Sequence, residues 1–246
     1  MEPFTSLRQS HTPPGKFIGE GIKVVRRMLA FSKVEKLLLT PKWHEELKPR
    51  LTPDIEVRVA SMQEVKGIVG YQLHQGAFAM ARIPDPPAWP PRGLILALDR
   101  ISSADNVGAV VRSAVALGAD AILVGPETCS PWTRRSVRSS MGAVLRIPIH
   151  FTESLVESIR SFDFPSFAAH IHPPYRTLDE VDLSPPSCIV LGCEADGVSP
   201  EVLSVCAETV YIPMSQGWDC LNVAASSAVL VHAAKQAALR KSGIPI

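Results

Sequence analysis

Beyond Gly93 the chain alternates between short apolar runs and helix-like stretches, and this alternation limits the fold more than any other feature. The runs are LILALD (94–99), AILVG (121–125), FAAHI (167–171), CIVLGCE (188–194) and TVYIP (209–213). Strands that are apolar without alternation are buried on both faces, as in parallel sheets covered by helices. Between them lie VGAVVRSAVALG (107–118), a basic stretch at 133–139, ESLVESIRSF (153–162) and SPEVLSVC (199–206). The expected fold is therefore α/β, with a parallel sheet covered on both sides. Asn106 is expected to cap the helix that follows the first strand, and Gly118 to stop it. The last helix is expected to begin near Leu221. It is apolar or small nearly all round through Ala234, which predicts burial on several sides.

The segment IPDPPAWPPRG (83–93) is dense in proline, which stiffens the chain and lacks a backbone donor. It reads as a linker (84–93) between a small unit (16–83) and a larger one (94–246). Residues 1–15 read as a frayed tail. In the small unit, Ile22, Val25, Met28 and Leu29 fall at helical spacing from about Phe17 onward, with Lys23, Arg26, Arg27 and Lys33 interleaved. VEKLLLT (34–40), IEVRVA (55–60) and HQGAFAMARI (74–83) read as strands, with helices at 41–48 and 61–68 between them. This is a second, smaller α/β fold with a basic first helix.

Composition sets limits. The net charge of +1 excludes a global basic field, so any nucleic acid must be held by local patches. Five cysteines occur with no CxxC pair and no zinc spacing, and they read as thiols in a reducing compartment. The N-terminal stretch has no apolar core of a secretory signal, and the last helix carries Asn, Ser and His. A soluble, cytoplasmic protein with no membrane partner is expected.

Open α/β sheets bind ligands at the carboxyl ends of their strands. Three such ends carry unusual residues: DRISSADNVGAVVR (99–112), LGCEADGVSPE (191–201) and IPMSQGWDCLN (212–222). Arg112 lies beside small residues and can reach a phosphate. Gly192 directly after a strand lets a ligand approach the backbone. Glu194 stands at that strand tip, and Asn222 opens the last helix, where free N–H groups receive ligands. Each also has an ordinary reading: a snorkelling arginine, a strand–turn–helix, an exposed carboxylate, a helix cap. GxGxxG, GxxxxGK[ST] and HxE…CxxC signatures are absent from the sequence, which argues against a Rossmann site, a P-loop and a deaminase zinc site.

Together the three segments resemble the motifs of the SpoU (TrmH-type) branch of the SPOUT RNA methyltransferases. Asn106, Gly108 and Arg112 match the first; Gly192, Glu194 and Gly197 the second. Ile212, Pro213, Met214 and then Cys220, Leu221, Asn222 and Val223 match the third, and SSMGAVLRIPI (139–149) resembles the family's linking segment. The N-terminal unit resembles the ribosomal-protein-like RNA-binding domain often fused to this family, through Glu20, Gly21 and Val24 at its start and His74, Gln75 and Gly76 at its end.

The resemblance implies a trefoil-knotted C-terminal domain, a homodimer, and S-adenosylmethionine-dependent methylation of a ribose 2′-hydroxyl in RNA, ribosomal RNA being favoured over transfer RNA. It implies a cofactor site at Gly192, Ile212 and Leu221, with Leu191 and Met214 as neighbours. It places Arg112 at the reacting hydroxyl, helped by Asn106, Glu194 and Asn222. An arginine is a poor base, since its pKa exceeds ~12, so Arg112 is read as holding a phosphate or stabilising the developing alkoxide. Arg134, Arg135 and Arg138, with Lys23, Arg26 and Arg27, are the expected phosphate contacts. No metal is implied. One departure stands out: Cys220 occupies the place of the family's serine, and a thiol donates hydrogen bonds weakly. An RNA-binding protein that has kept the fold and lost catalysis, and a transfer RNA 2′-O-methyltransferase, therefore stay open.

Overall fold

The computed structural model describes residues 2–7, 12–73, 75–89, 91–216 and 220–242. Two sheets organise the chain. The first part comprises β1 (Lys16–Glu20), α1 (Ile22–Phe31), β2 (Val34–Leu39), α2 (Pro41–Leu47), β3 (Glu56–Val59), α3 (Met62–Val69) and β4 (Ala77–Arg82). Its sheet has the order β1-β4-β2-β3, with β4 antiparallel to both neighbours and β2 parallel to β3. The helical pattern that begins near Phe17 in the sequence opens as a strand. Gly21, at φ 93°, turns the chain, and the helix starts at Ile22.

The second part holds β5 (Leu94–Leu98), α4 (Ala104–Leu117), β6 (Ala121–Val124), α5 (Arg134–Ser139), β7 (Ile149–Phe151), α6 (Leu155–Arg160), β8 (Ser166–Ala169), β9 (Arg176–Thr177), β10 (Ser187–Leu191), α7 (Pro200–Leu203), β11 (Glu208–Tyr211) and α8 (Val223–Ser242). The sheet order is β7-β6-β5-β10-β8-β11-β9, and every pairing is parallel. β5, β6 and β10 are buried along their whole length, as the unbroken apolar runs require.

Several boundaries differ from the sequence reading. α4 is capped by Ser103, whose Oγ accepts from the Asn106 N–H at 3.4 Å, so Asn106 sits inside the first turn and its side chain is free for other work. Gly118 ends the helix in the left-handed region, as expected. α8 starts at Val223, and Asn222 caps it: its Oδ1 accepts from the Ala224 N–H at 2.9 Å. α8 buries one face only, through Val223, Ser227, Leu230, Val231 and Ala234, and leaves Ala225, Val229 and His232 exposed. α7 is short, and Cys206 lies beyond it.

The start of the chain is more ordered than a frayed tail. Phe4 is fully buried against Phe78, and the N–H groups of Ser6 and Leu7 donate to Ile68 and Val69 at 2.8 and 3.0 Å. In the proline-rich connection, Trp89 packs on His150 and Phe162. The two parts also share a continuous apolar core, in which Phe17 of β1 meets Trp132 with ring centroids 5.0 Å apart. No helix among the described residues is long and apolar enough to cross a membrane.

Candidate active site

Because the large sheet is all parallel, the carboxyl ends of β5, β8, β10 and β11 lie along one edge. Three polar residues from three separate segments meet there. The Asn222 amide donates to Asn106 Oδ1 at 3.2 Å, and the Asn106 amide donates to the Glu194 carboxylate. The direction of this chain is fixed at α8. The main-chain N–H of Ala224 only donates, so Asn222 Oδ1 accepts there and both amide orientations follow. Asn222 therefore caps α8 and also holds Asn106.

The turn that carries Glu194 is tightly built. Cys193 and Gly197 exchange two main-chain hydrogen bonds of 3.1 Å, and Gly197 adopts φ 70°. A Cβ on Gly192 would lie 2.0 Å from the Gly197 carbonyl carbon and 2.1 Å from the Val198 nitrogen. This glycine admits the protein's own main chain, where sequence reasoning had it admitting a ligand. Beyond the turn, the buried Asp99 accepts from the Ser199 N–H at 2.6 Å and ties the end of β5 to the start of α7. Ser199 holds the N-cap position with Pro200 behind it, but its side chain makes no capping bond. Sequence reasoning missed Asp99. The available signal was a single carboxylate ending an otherwise apolar strand.

Gly108 serves packing too. A Cβ there would lie 2.5 Å from the Ser136 carbonyl oxygen, so α5 crosses α4 at close range. Arg112, one turn further along α4, is exposed, and no hydrogen bond or ion pair reaches it among the described residues. The structure thus joins Asn106, Glu194 and Asn222 and leaves Arg112 outside that hydrogen-bonded group.

With this geometry in view, the comparison with known proteins is direct. Residues 93–232, which carry all four of these side chains, match the SpoU rRNA Methylase family. The chain belongs to this family. It is an RNA methyltransferase by descent. An uncharacterized tRNA/rRNA methyltransferase of Mycobacterium tuberculosis is 30% identical over 240 residues, covering 92% of this chain and 83% of the relative. A solved structure described as an RNA 2′-O ribose methyltransferase is 27% identical, with a TM-score of 0.76 over 92% of this chain and 90% of that one. The SpoU methyltransferase AviRb from Streptomyces viridochromogenes, solved with its cofactor AdoMet, shares the fold at a TM-score of 0.81 and 24% identity, over 98% of both chains.

In this SpoU-family chain the residues expected around a cofactor differ in availability. Leu191 is buried in the core, and its carbonyl accepts from the Asp99 N–H at 2.9 Å, so neither group is free. Ile212 and Met214 are half-buried, while Leu221 is 39% exposed, unusual for a leucine beside a strand end. Partly exposed apolar side chains among strand-end loops can pack against the flat face of a ligand. Gly217 and Trp218, in the same loop, lie outside the described residues, as does His74 of the N-terminal motif.

The expected phosphate contacts are mostly engaged within the protein. Arg134 pairs with Glu20 and donates to the Tyr71 hydroxyl at 2.6 Å; Arg138 lies 3.8 Å from Glu20. Arg135 holds Asp105 at 2.5 Å, and this pairing keeps the Asp105 carboxyl below the usual carboxylate range. Arg26 pairs with Glu46, and Arg27 donates to the Met141 carbonyl at 2.5 Å. Lys23 is exposed and has no such partner among the described residues. Burial pushes the Cys188 thiol far up and the Cys206 thiol up to about 11, whereas Cys220 is exposed.

Proposed function

We propose that the protein transfers a methyl group from S-adenosylmethionine to a ribose 2′-hydroxyl of RNA, ribosomal RNA being the favoured substrate. The observation that carries this reading is the Glu194–Asn106–Asn222 chain, which unites three motif residues from distant segments at one sheet edge. The sulfonium donor supplies an activated methyl group when bound. Ile212, Met214 and Leu221 would hold its adenosyl part. The cluster fixes the start of α8 and the turn after β10, and would so keep the strand-end loops in place for aligning donor and hydroxyl, a positional effect that can be large. The Arg112 guanidinium would stabilise the developing alkoxide or hold the neighbouring phosphate.

The same reading includes a homodimer and a knotted catalytic domain. The uncovered face of α8, with Ala225 and Val229 exposed, supports a second copy packing there. The small N-terminal sheet, packed on the catalytic part, supports a structured substrate such as ribosomal RNA.

Incubation of ribosomal and transfer RNA with methyl-labelled donor tests the reaction. Label should enter ribosomal RNA and render one phosphodiester resistant to alkali, because a 2′-O-methyl group caps the oxygen that would otherwise attack. Label on a base would sink the ribose assignment. Asn222→Ala should lower turnover roughly 10²-fold, and it should weaken donor binding measured by calorimetry. Cys220→Ser should leave turnover within about threefold, since the Cys220 side chain is exposed and takes part in no hydrogen bond among the described residues. A wild type that binds donor and RNA without turnover, rescued by Cys220→Ser, would instead favour the catalytically silent alternative.

A further inference from the structure

A cleft of about 580 Å³ opens between the N-terminal part and the catalytic part, and none of the Glu194–Asn106–Asn222 residues lines it. Its volume lies in the range of ligand sites, roughly 300–1,000 Å³. Residues of both N-terminal motifs converge on it. Glu20, Gly21 and Val24 come from the start of the N-terminal unit, and Gln75 from its end. Gln75 Oε1 accepts from the Ile22 N–H at 3.0 Å and so fixes the opening turn of α1 on one wall. Met141 and Arg138, from the catalytic part, form the other.

Charge and wall chemistry indicate the occupant. Glu20 is neutralised by Arg134, and the Tyr71 hydroxyl donates to the same carboxylate at 2.8 Å. Burial beside that carboxylate raises the Tyr71 pKa, so the ring stays neutral. The cations in excess around the cleft are Lys23, Arg138 and Arg27, the last held against Met141. Apolar Val24, Leu73 and Met141 line it together with Gln72 and Gln75. Unpaired bases in RNA are recognised by this combination: an apolar or aromatic wall, groups that bond the base edge, and a nearby cation for phosphate. A double helix cannot enter such a cleft.

We propose that the cleft takes one unpaired nucleotide of the RNA substrate, with the base inside and its phosphate on Lys23 and Arg138. The inference rests on the RNA methyltransferase reading and adds to it a single-stranded element beside the methylated ribose. The two sites are mechanically joined. The helix carrying Arg138 packs directly on Gly108 of α4, two residues from Asn106.

The test is anisotropy titration of a short single-stranded RNA, a blunt RNA duplex of the same sequence, and adenosine and uridine monophosphates. Wild type is compared with Lys23→Gln and with Gln72→Leu, which removes a side-chain amide from the cleft at an exposed position without changing charge. The single strand should bind more tightly than the duplex. Each variant should weaken single-strand binding about fivefold or more, with duplex binding, melting temperature and donor affinity unchanged. Equal single-strand binding by wild type and both variants overturns the proposal. A monophosphate that binds as tightly as the oligomer also overturns it, by making the cleft a small-molecule site. Methyl transfer by wild type is scored separately. Its absence would refute the enzymatic reading, while the binding results judge the cleft on their own.

Discussion

Arg134→Ala should destabilise the protein by about 3 kcal/mol and lower its Tm by roughly 6–12 °C. The Glu20 side chain is only 12% exposed and takes both the Arg134 guanidinium and the Tyr71 hydroxyl. Removing Arg134 leaves that carboxylate with one neutral donor and with Arg138 at 3.8 Å. It also removes the guanidinium lying 4.9 Å from the Tyr71 ring centre. Breaking a buried pair costs about 3–5 kcal/mol because a desolvated charge is stranded, and the partial exposure of Arg134 puts this case at the low end. The adjacent Arg135 is the control. Its pair with Asp105 is largely exposed, so Arg135→Ala should leave stability close to wild type. Thermal melts of the two variants decide the matter. Equal losses would mean that the contact between the two parts does not depend on the Glu20 pair.

Gly192→Ala should reduce methyl transfer by roughly 10²-fold or more while the protein still folds. The new methyl would overlap the main chain at Gly197 and Val198, and a backbone neighbour cannot swing aside as a side chain can. The turn closed by Cys193 and Gly197 must move, and it carries Glu194 away from Asn106. A displacement of about 1 Å can cost 10²-fold when a site works by alignment. The strain itself should cost about 1–3 kcal/mol. Gly67 supplies the opposite case. It is exposed in α3 with open space where a Cβ would go, so Gly67→Ala should stabilise by about 0.5–1 kcal/mol with activity intact. Parallel measurement of melting and methyl transfer for both variants tests the pair. Full activity in Gly192→Ala would show that the turn after β10 is not part of the working site.

Much of the site was legible before any coordinates. Asn106, Glu194 and Asn222 stood out because each follows an apolar strand, and parallel strands put their carboxyl ends on one edge. What the sequence could not supply was the bond between them, since these residues lie 88 and 116 positions apart. Asn222 taken alone read first as a helix cap, and the structure shows it capping α8 with one end of its amide and holding Asn106 with the other. Gly192 was read as room for a ligand. Spacing shows that a glycine is needed but not which atoms come close.

The arginines mark the limit most plainly. Arg134, Arg135 and Arg138 look alike on one short basic helix, and in the structure one is a half-buried strut, one a surface pair and one lines a cleft. Charge in a sequence says that a group must be solvated or paired; only packing decides which. Unbroken apolar runs determined the parallel sheet, because a strand buried on both faces has no polar face to show. Helical spacing determined α1 and α4, because one turn sets which side chains meet the core. The burial of Glu20, the closeness of Gly192 to Gly197 and the cleft between the two parts were decided by tertiary structure alone. Each depends on segments that meet only when both sheets are assembled, and no local pattern encodes the distance between them.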